Sequence, residues 1–140
     1  MTIGLLRRYA GRAFPEVVVT EKRLNTITGF SIATPGAINL YTVPASSECV
    51  VTSVVLRCKT ATAVTVVAQV GVGANAGADD IYISRALTDF DSVNDQWILA
   101  DTGGGVIAQA AQIIRLGVDV GATATAQTVD IDIYGYVYGV

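Results

Sequence analysis

The sequence predicts an all-β domain, an antiparallel β-sandwich or jelly roll of about eight strands with an extended N-terminal arm. Three observations predict it. Apolar residues recur with period two from Ile38 onward, turn residues separate these runs at short intervals, and no stretch carries a convincing helical stripe. With 140 residues, 51% of them hydrophobic and 15% charged, the chain has enough apolar material for one core and too little length for two ordinary domains. The same composition excludes a disordered chain and leaves little charge to cover a whole wet surface, so part of that surface is expected to meet partners. The expected division is residues 1–37 as a basic arm and connector and residues 38–140 as the sandwich body.

In Cys49 to Lys59, Val50, Thr52, Val54, Leu56 and Cys58 share one face, and Cys49, Val51, Ser53, Val55, Arg57 and Lys59 share the other. Both faces are largely apolar until Arg57, as in a central strand. Val64 to Val72 follows the short link Thr60 to Ala63 and places Val64, Val66, Ala68, Val70 and Val72 together, which predicts a hairpin with the strand before it. The Gly71, Gly73, Ala74, Asn75, Ala76, Gly77 stretch predicts a surface loop, and Asp80 to Arg85 resumes the alternation with Ile81 and Ile83. Leu87 to Ala100 fits neither period cleanly; Gln96 to Ala100 is read as strand. Asp101, Thr102 and Gly103 to Gly105 form a turn, followed by Val106 to Ala108 and by Ile113 to Val120, whose Ile114, Leu116, Val118 and Val120 alternate with Arg115 and Asp119. The final strand, Thr128 to Val140, points Val129, Ile131, Ile133 and Val137 inward and Asp130, Asp132, Tyr134, Tyr136 and Tyr138 outward.

The formal charge of −3 conceals an asymmetry. Arg7, Arg8, Arg12, Lys22 and Arg23 against Glu16 and Glu21 give residues 1–23 a net +3, which leaves −6 on residues 24–140. The arm interleaves its arginines with Ile3, Leu5, Leu6, Tyr9 and Phe14, offering apolar anchors and charge-assisted hydrogen bonds to a carboxylate-bearing protein surface. A frayed, solvated terminus is the plainer alternative. Nucleic acid is a poor partner for this arm, because the acidic body behind it repels phosphate. The arm residues expected to bind a partner are Leu5, Leu6, Arg7, Arg8, Tyr9, Arg12 and Phe14. Tyr134, Tyr136 and Tyr138 join them, since three amphipathic rings on one strand face make a contact surface of low conformational entropy. That face suits subunit packing or sugar stacking, unless the arm or a loop covers it.

Chemistry has little support. The chain has no histidine, which removes the usual general base, the commonest metal ligand and the serine triad in its familiar form. Cys49 and Cys58 lie nine positions apart in one strand, roughly 30 Å at about 3.3 Å per residue, and the odd spacing sends them to opposite faces, so they are expected as free packing residues of a reducing compartment. The run from Asp89 to Asp95 invites a calcium reading, yet counting from Asp89 the sixth and twelfth positions are Asn94 and Ala100 where a calcium loop of the EF-hand type needs Gly and Glu. Paired carboxylates for glycoside hydrolysis cannot be established by spacing. Gly103 to Gly105 lacks the Lys-Ser/Thr of a phosphate loop. No catalytic residue, metal ligand or cofactor is therefore expected. Apolar runs fall far short of the roughly 20 residues that span a bilayer, and Arg7, Arg8 and Arg12 interrupt the place of a signal's apolar stretch, so neither a membrane nor export is expected.

The segment Ile38-Asn-Leu-Tyr-Thr-Val-Pro-Ala45, followed by Ser-Ser-Glu-Cys-Val-Val-Thr-Ser-Val-Val-Leu56, resembles one recurrent in structural proteins of tailed-bacteriophage virions. There a Leu/Ile-Tyr-Thr-Val-Pro-Ala turn leads into a Val-Val-Thr-Ser-Ile/Val-Val-Leu strand. Val106 to Val120 and Thr128 to Val140 look like the closing strands of those jelly-roll domains, so the resemblance covers residues 38–140 and omits the arm. Ser46-Ser47 stands where Gly-Lys is frequent, and Ala110-Ala111-Gln112 where a Gly-Asp turn is common. Most similar are capsid decoration, or cement, proteins. The resemblance implies a non-enzymatic protein, homotrimeric by preference, made in the bacterial cytoplasm and bound to the major capsid protein on the outer surface of a phage head. A head-fibre or tail adhesin module that binds host surface glycans is the alternative it leaves, with a carbohydrate-active enzyme third.

Overall fold

The computed structural model describes residues 2–5, 8–9, 12–13, 17–100 and 106–140, with side chains from Thr20 onward. Four short strands come first: β1 (Thr2–Leu5), β2 (Arg8–Tyr9), β3 (Arg12–Ala13) and β4 (Val17–Thr20). They pair in a nested antiparallel order, Thr2 opposite Thr20 through Leu5 opposite Val17, then Arg8 opposite Ala13 and Tyr9 opposite Arg12. The arm is thus a ribbon paired with itself, and β4 comes against the last strand of the body.

Eight strands build the body: β5 (Lys22–Ser31), β6 (Gly36–Thr42), β7 (Ser47–Thr62), β8 (Gln69–Gly73), β9 (Tyr82–Ala86), β10 (Gln96–Ala100), β11 (Ile113–Val120) and β12 (Ala126–Gly139). They form two four-stranded antiparallel sheets, β10-β7-β12-β5 and β6-β11-β8-β9. Only the β8–β9 connection stays within a sheet; every other step along the body crosses from one sheet to the other, which is jelly-roll topology. Leu40, Val54, Leu56, Val70, Val72, Ile114, Leu116, Ile131 and Ile133 fill the space between the sheets with Ile32, Leu87 and Phe90. Gln127 is buried among them, and its Nε2 donates to the Phe90 carbonyl at 2.9 Å, holding the loop between β9 and β10.

Several expectations change. The stretch taken as arm and connector contributes β5, which pairs with β12 from Lys22–Gly135 to Ser31–Thr128, and the start of β6. The proposed hairpin of β7 with Val64–Val72 does not form. Both flanks of β7 are already occupied by β10 and β12, and the chain crosses after Thr62 to enter the other sheet, where β8 begins at Gln69. Ala68, Val70 and Val72 are buried as expected, whereas Val66 is exposed and pairs only in a bridge with Thr123. Val120, expected inward, is exposed at the end of β11.

Cys49 and Cys58 are both buried and free. They do not occupy opposite faces. Val51 lies opposite Gly135 and Ser53 opposite Tyr134, so Thr52 is an extra residue in β7, a bulge that inverts the alternation midway. Cys49 and Val51 point inward before it, and Val54, Leu56 and Cys58 after it. β12 continues without interruption past the bulge, and Val129, Ile131 and Ile133 are buried while Val137 packs half-buried against the core. A Cβ on Gly135 would stand 2.3 Å from the Val50 carbonyl oxygen, so only glycine fits beside the bulge. Across the core, the Tyr82 hydroxyl donates to the Val51 carbonyl at 3.2 Å.

Candidate docking interface

The two sheets present different outer surfaces. On β6-β11-β8-β9, the loop between β8 and β9 folds back over the strands: Ala78 and Ile81 are buried, and an added Cβ on Gly71 would meet the Ala78 carbonyl at 2.9 Å. Asp80 pins that loop by accepting the Ala74 amide at 2.7 Å, and Asn75 exchanges bonds with Asp79. Near the other acidic run, Asp95 accepts the amides of Asp91 and Ser92 at 3.0 and 2.8 Å. These carboxylates shape turns. Among the described residues no three His, Cys, Asp or Glu side chains converge as a metal site, and no helix is long and apolar enough to cross a membrane.

The outer face of β10-β7-β12-β5 carries the expected tyrosines. Strand register sets Tyr134 beside Ser53 and Arg23, Tyr136 beside Val50, and Tyr138 beside Glu48, and all three rings are half-buried. Burial first, then the hydroxyl's bond to Glu48, holds the Tyr138 phenol above its usual range. Farther along, Ile98 on the edge strand is 57% exposed and lies opposite Val55. Next to it is a polar cluster that sequence reasoning missed. Asp132 points to this outer face yet is buried; it pairs with Arg57 Nη2 at 2.9 Å and accepts the Thr26 hydroxyl at 2.6 Å. Asp130 accepts the Gly29 amide at 3.0 Å at a bulge of β5 where Gly29 has φ +68°, a left-handed value that favours glycine. Arg57 faces Asp130 and reaches Asp132 on the diagonal, so the cluster becomes readable only once the strand order and register are known.

Of the arm residues expected to bind a partner, Leu6, Arg7 and Phe14 lie outside the described residues. Leu5 ends β1, Arg8 and Tyr9 make β2, and Arg12 begins β3, placed by their backbone. Because Tyr9 pairs with Arg12 and Arg8 with Ala13, Arg8 and Arg12 sit in adjoining rungs of one ladder, and the ribbon brings them together. The tyrosines are on the body sheet against which β4 lies. At the junction of ribbon and body, the Thr52 hydroxyl donates to the Glu21 carboxylate, and chiefly for that reason the carboxyl titrates below its usual range.

No protein-family model matches the chain, and no curated protein matches its sequence. Solved structures do. A chain in the cyanophage Pam1 capsid asymmetric unit is similar with a TM-score of 0.52 and 20% identity, over 84% of this chain and 85% of that one. A chain in the acidic stable capsid structure of Helicobacter pylori bacteriophage KHP30 is similar with a TM-score of 0.54 and 15% identity, over 87% of this chain and 98% of that one. At these identities the likeness establishes the shared fold, a jelly-roll sandwich that also occurs in phage capsid structures.

Proposed function

We propose that this protein is a non-enzymatic component of a phage virion, a decoration or cement protein that binds the outer surface of the assembled head. The observation that carries the reading is the match of nearly the whole chain to chains of two phage capsid structures. The net charge of +3 on residues 1–23 and the half-buried tyrosines support it, because cationic and aromatic groups suit contact with a second protein. The partner is the major capsid protein, with Leu5, Leu6, Arg7, Arg8, Tyr9, Arg12 and Phe14 of the N-terminal sequence and Tyr134, Tyr136 and Tyr138 of the sheet as contacts. A homotrimer would engage several shell subunits at once, and linked attachment raises the strength of individually weak contacts.

The test compares three samples of phage heads: bare, decorated, and decorated with protein in which Arg7, Arg8 and Arg12 are alanine. Binding that favours the assembled shell over free subunits stabilises it by mass action, so decorated heads should melt and release DNA at higher temperature than bare ones, with the triple variant close to bare. High salt should weaken attachment in part, since screening affects the arginines and leaves the apolar anchors. Equal melting of all three samples, together with saturable glycan binding by the protein alone, would replace this reading with that of an adhesin module.

A further inference from the structure

The chain changes partners at Glu21. The strand before it, β4, pairs with β1 in the ribbon, and the strand after it, β5, pairs with β12 in the body. A junction of this kind leaves a ribbon free to swing unless some contact fixes its exit. That contact is present. In the sheet order β5 is separated from β7 by β12, and the Glu21 carboxylate nevertheless accepts the hydroxyl of Thr52 on β7. Thr52 is available because it is the extra residue of the bulge, unpaired with β12 and half-buried on a strand whose other inversions serve the core. The bulge in turn depends on Gly135, the position where a side chain would strike the Val50 carbonyl. A classic packing role would call for an apolar residue at position 52; a hydroxyl there matters for the bond it donates.

We propose that Thr52 and Glu21 form a clamp that fixes the direction in which the N-terminal ribbon leaves the sandwich. Holding the ribbon in one orientation lowers the entropy lost when it docks. This consequence for attachment rests on the function proposed above; the clamp itself does not.

The experiment measures amide hydrogen exchange in the isolated full-length protein for Thr52→Val, which keeps the shape and removes the hydroxyl, and for Thr52→Ser, which keeps the hydroxyl. Loss of one hydrogen bond to a charged group corresponds to about ten- to a hundredfold faster exchange. This acceleration is expected at β4 in Thr52→Val, with β7 and β12 still protected and Thr52→Ser like the parent. Glu21→Ala, at an exposed junction, should reproduce the effect if Thr52→Val folds poorly. Unchanged exchange at β4 in both Thr52→Val and Glu21→Ala would overturn the clamp, and so would an equal loss of protection throughout the sandwich. Binding of the same variants to bare heads separates the two readings: faster exchange at β4 with unaltered attachment would uphold the clamp and remove the ribbon's docking role.

Discussion

The sandwich has two outer faces built from equal numbers of strands, and they are finished in opposite ways. The β6-β11-β8-β9 face is covered by its own chain over β8 and β11, where glycines at 71, 73 and 117 let the β8–β9 loop lie on the backbone, and Ile83 stays exposed on the edge strand. The β10-β7-β12-β5 face instead carries half-buried tyrosines, an exposed Ile98 and a buried Asp132 paired with an exposed Arg57, with the ribbon entering beside them. A face covered intramolecularly has its contacts settled within the chain. A face that orders aromatic and charged groups without such a cover is the one suited to a partner.

The largest effect tests what both faces share. Leu56 is fully buried between the sheets, and Leu56→Asp places an unpaired carboxylate there at a cost of several kcal/mol, comparable with a domain's whole stability of about 5–15 kcal/mol. Circular dichroism should show an unfolded chain; a folded variant with normal melting would mean that position 56 is not in the core. Gly73→Ala attacks the closed face alone. Its Cβ would stand 2.6 Å from the Asp79 amide nitrogen, so the loop must lift, with a loss of about 1–3 kcal/mol in denaturant melts and new protease sensitivity between β8 and β9.

Arg57→Ala perturbs the other face. The change strands the buried Asp132 with Thr26 as its remaining partner. With Arg57 itself 45% exposed, the expected loss is about 1–3 kcal/mol, and a melting temperature equal to the parent's would show that Asp132 is solvated. The smallest effect is the acid response of Glu21. Its folded pKa is lowered, so its contribution is present above the unfolded carboxyl's pKa and is lost as pH falls through the folded value. Protection at β4, taken relative to the intrinsic exchange rate at each pH, should therefore fall in acid before protection in β7 and β12 declines; simultaneous loss of both would remove Glu21 from the account.

Strands with long alternation were legible in the sequence. Ile113–Val120 and the final strand stand close to where period two puts them, except that a bulge at Asp119 turns Val120 outward, and Gln96–Ala100 is a strand despite its lack of a clean period. β5 was hidden for a physical reason. Its core-facing Leu24, Ile27 and Phe30 recur every three residues, since bulges near Leu24 and Gly29 each add to the strand without adding to its pairing, and the result has neither a strand nor a helix period. The bulge at Thr52 has no signature in β7 itself; its trace is Gly135 on the neighbouring strand, an interior glycine with a meaning that depends on register. The tyrosine face was legible as a stripe. The Arg57–Asp132 pair was not, because a sequence does not state which strands are neighbours. Nor could the ribbon's pairing be read, since Gly4, Gly11 and Pro15 among irregularly mixed charged and apolar residues do not set a register.

β12 lies between β5 and β7 in its sheet, and this has a consequence for how the protein is made. On the ribosome β5 emerges first and finds no partner until β12 has been synthesised, roughly 5 to 20 s later at about 5–20 residues per second. During that interval β6, β11, β8 and β9 can pair among themselves and β7 with β10, but β5 stays unpaired and the sandwich cannot close over it. Closing the sandwich over β5 therefore waits on a distant pairing, which is slow to find. Any partner of the tyrosine face meets a finished molecule, because the surface it recognises does not exist on the growing chain.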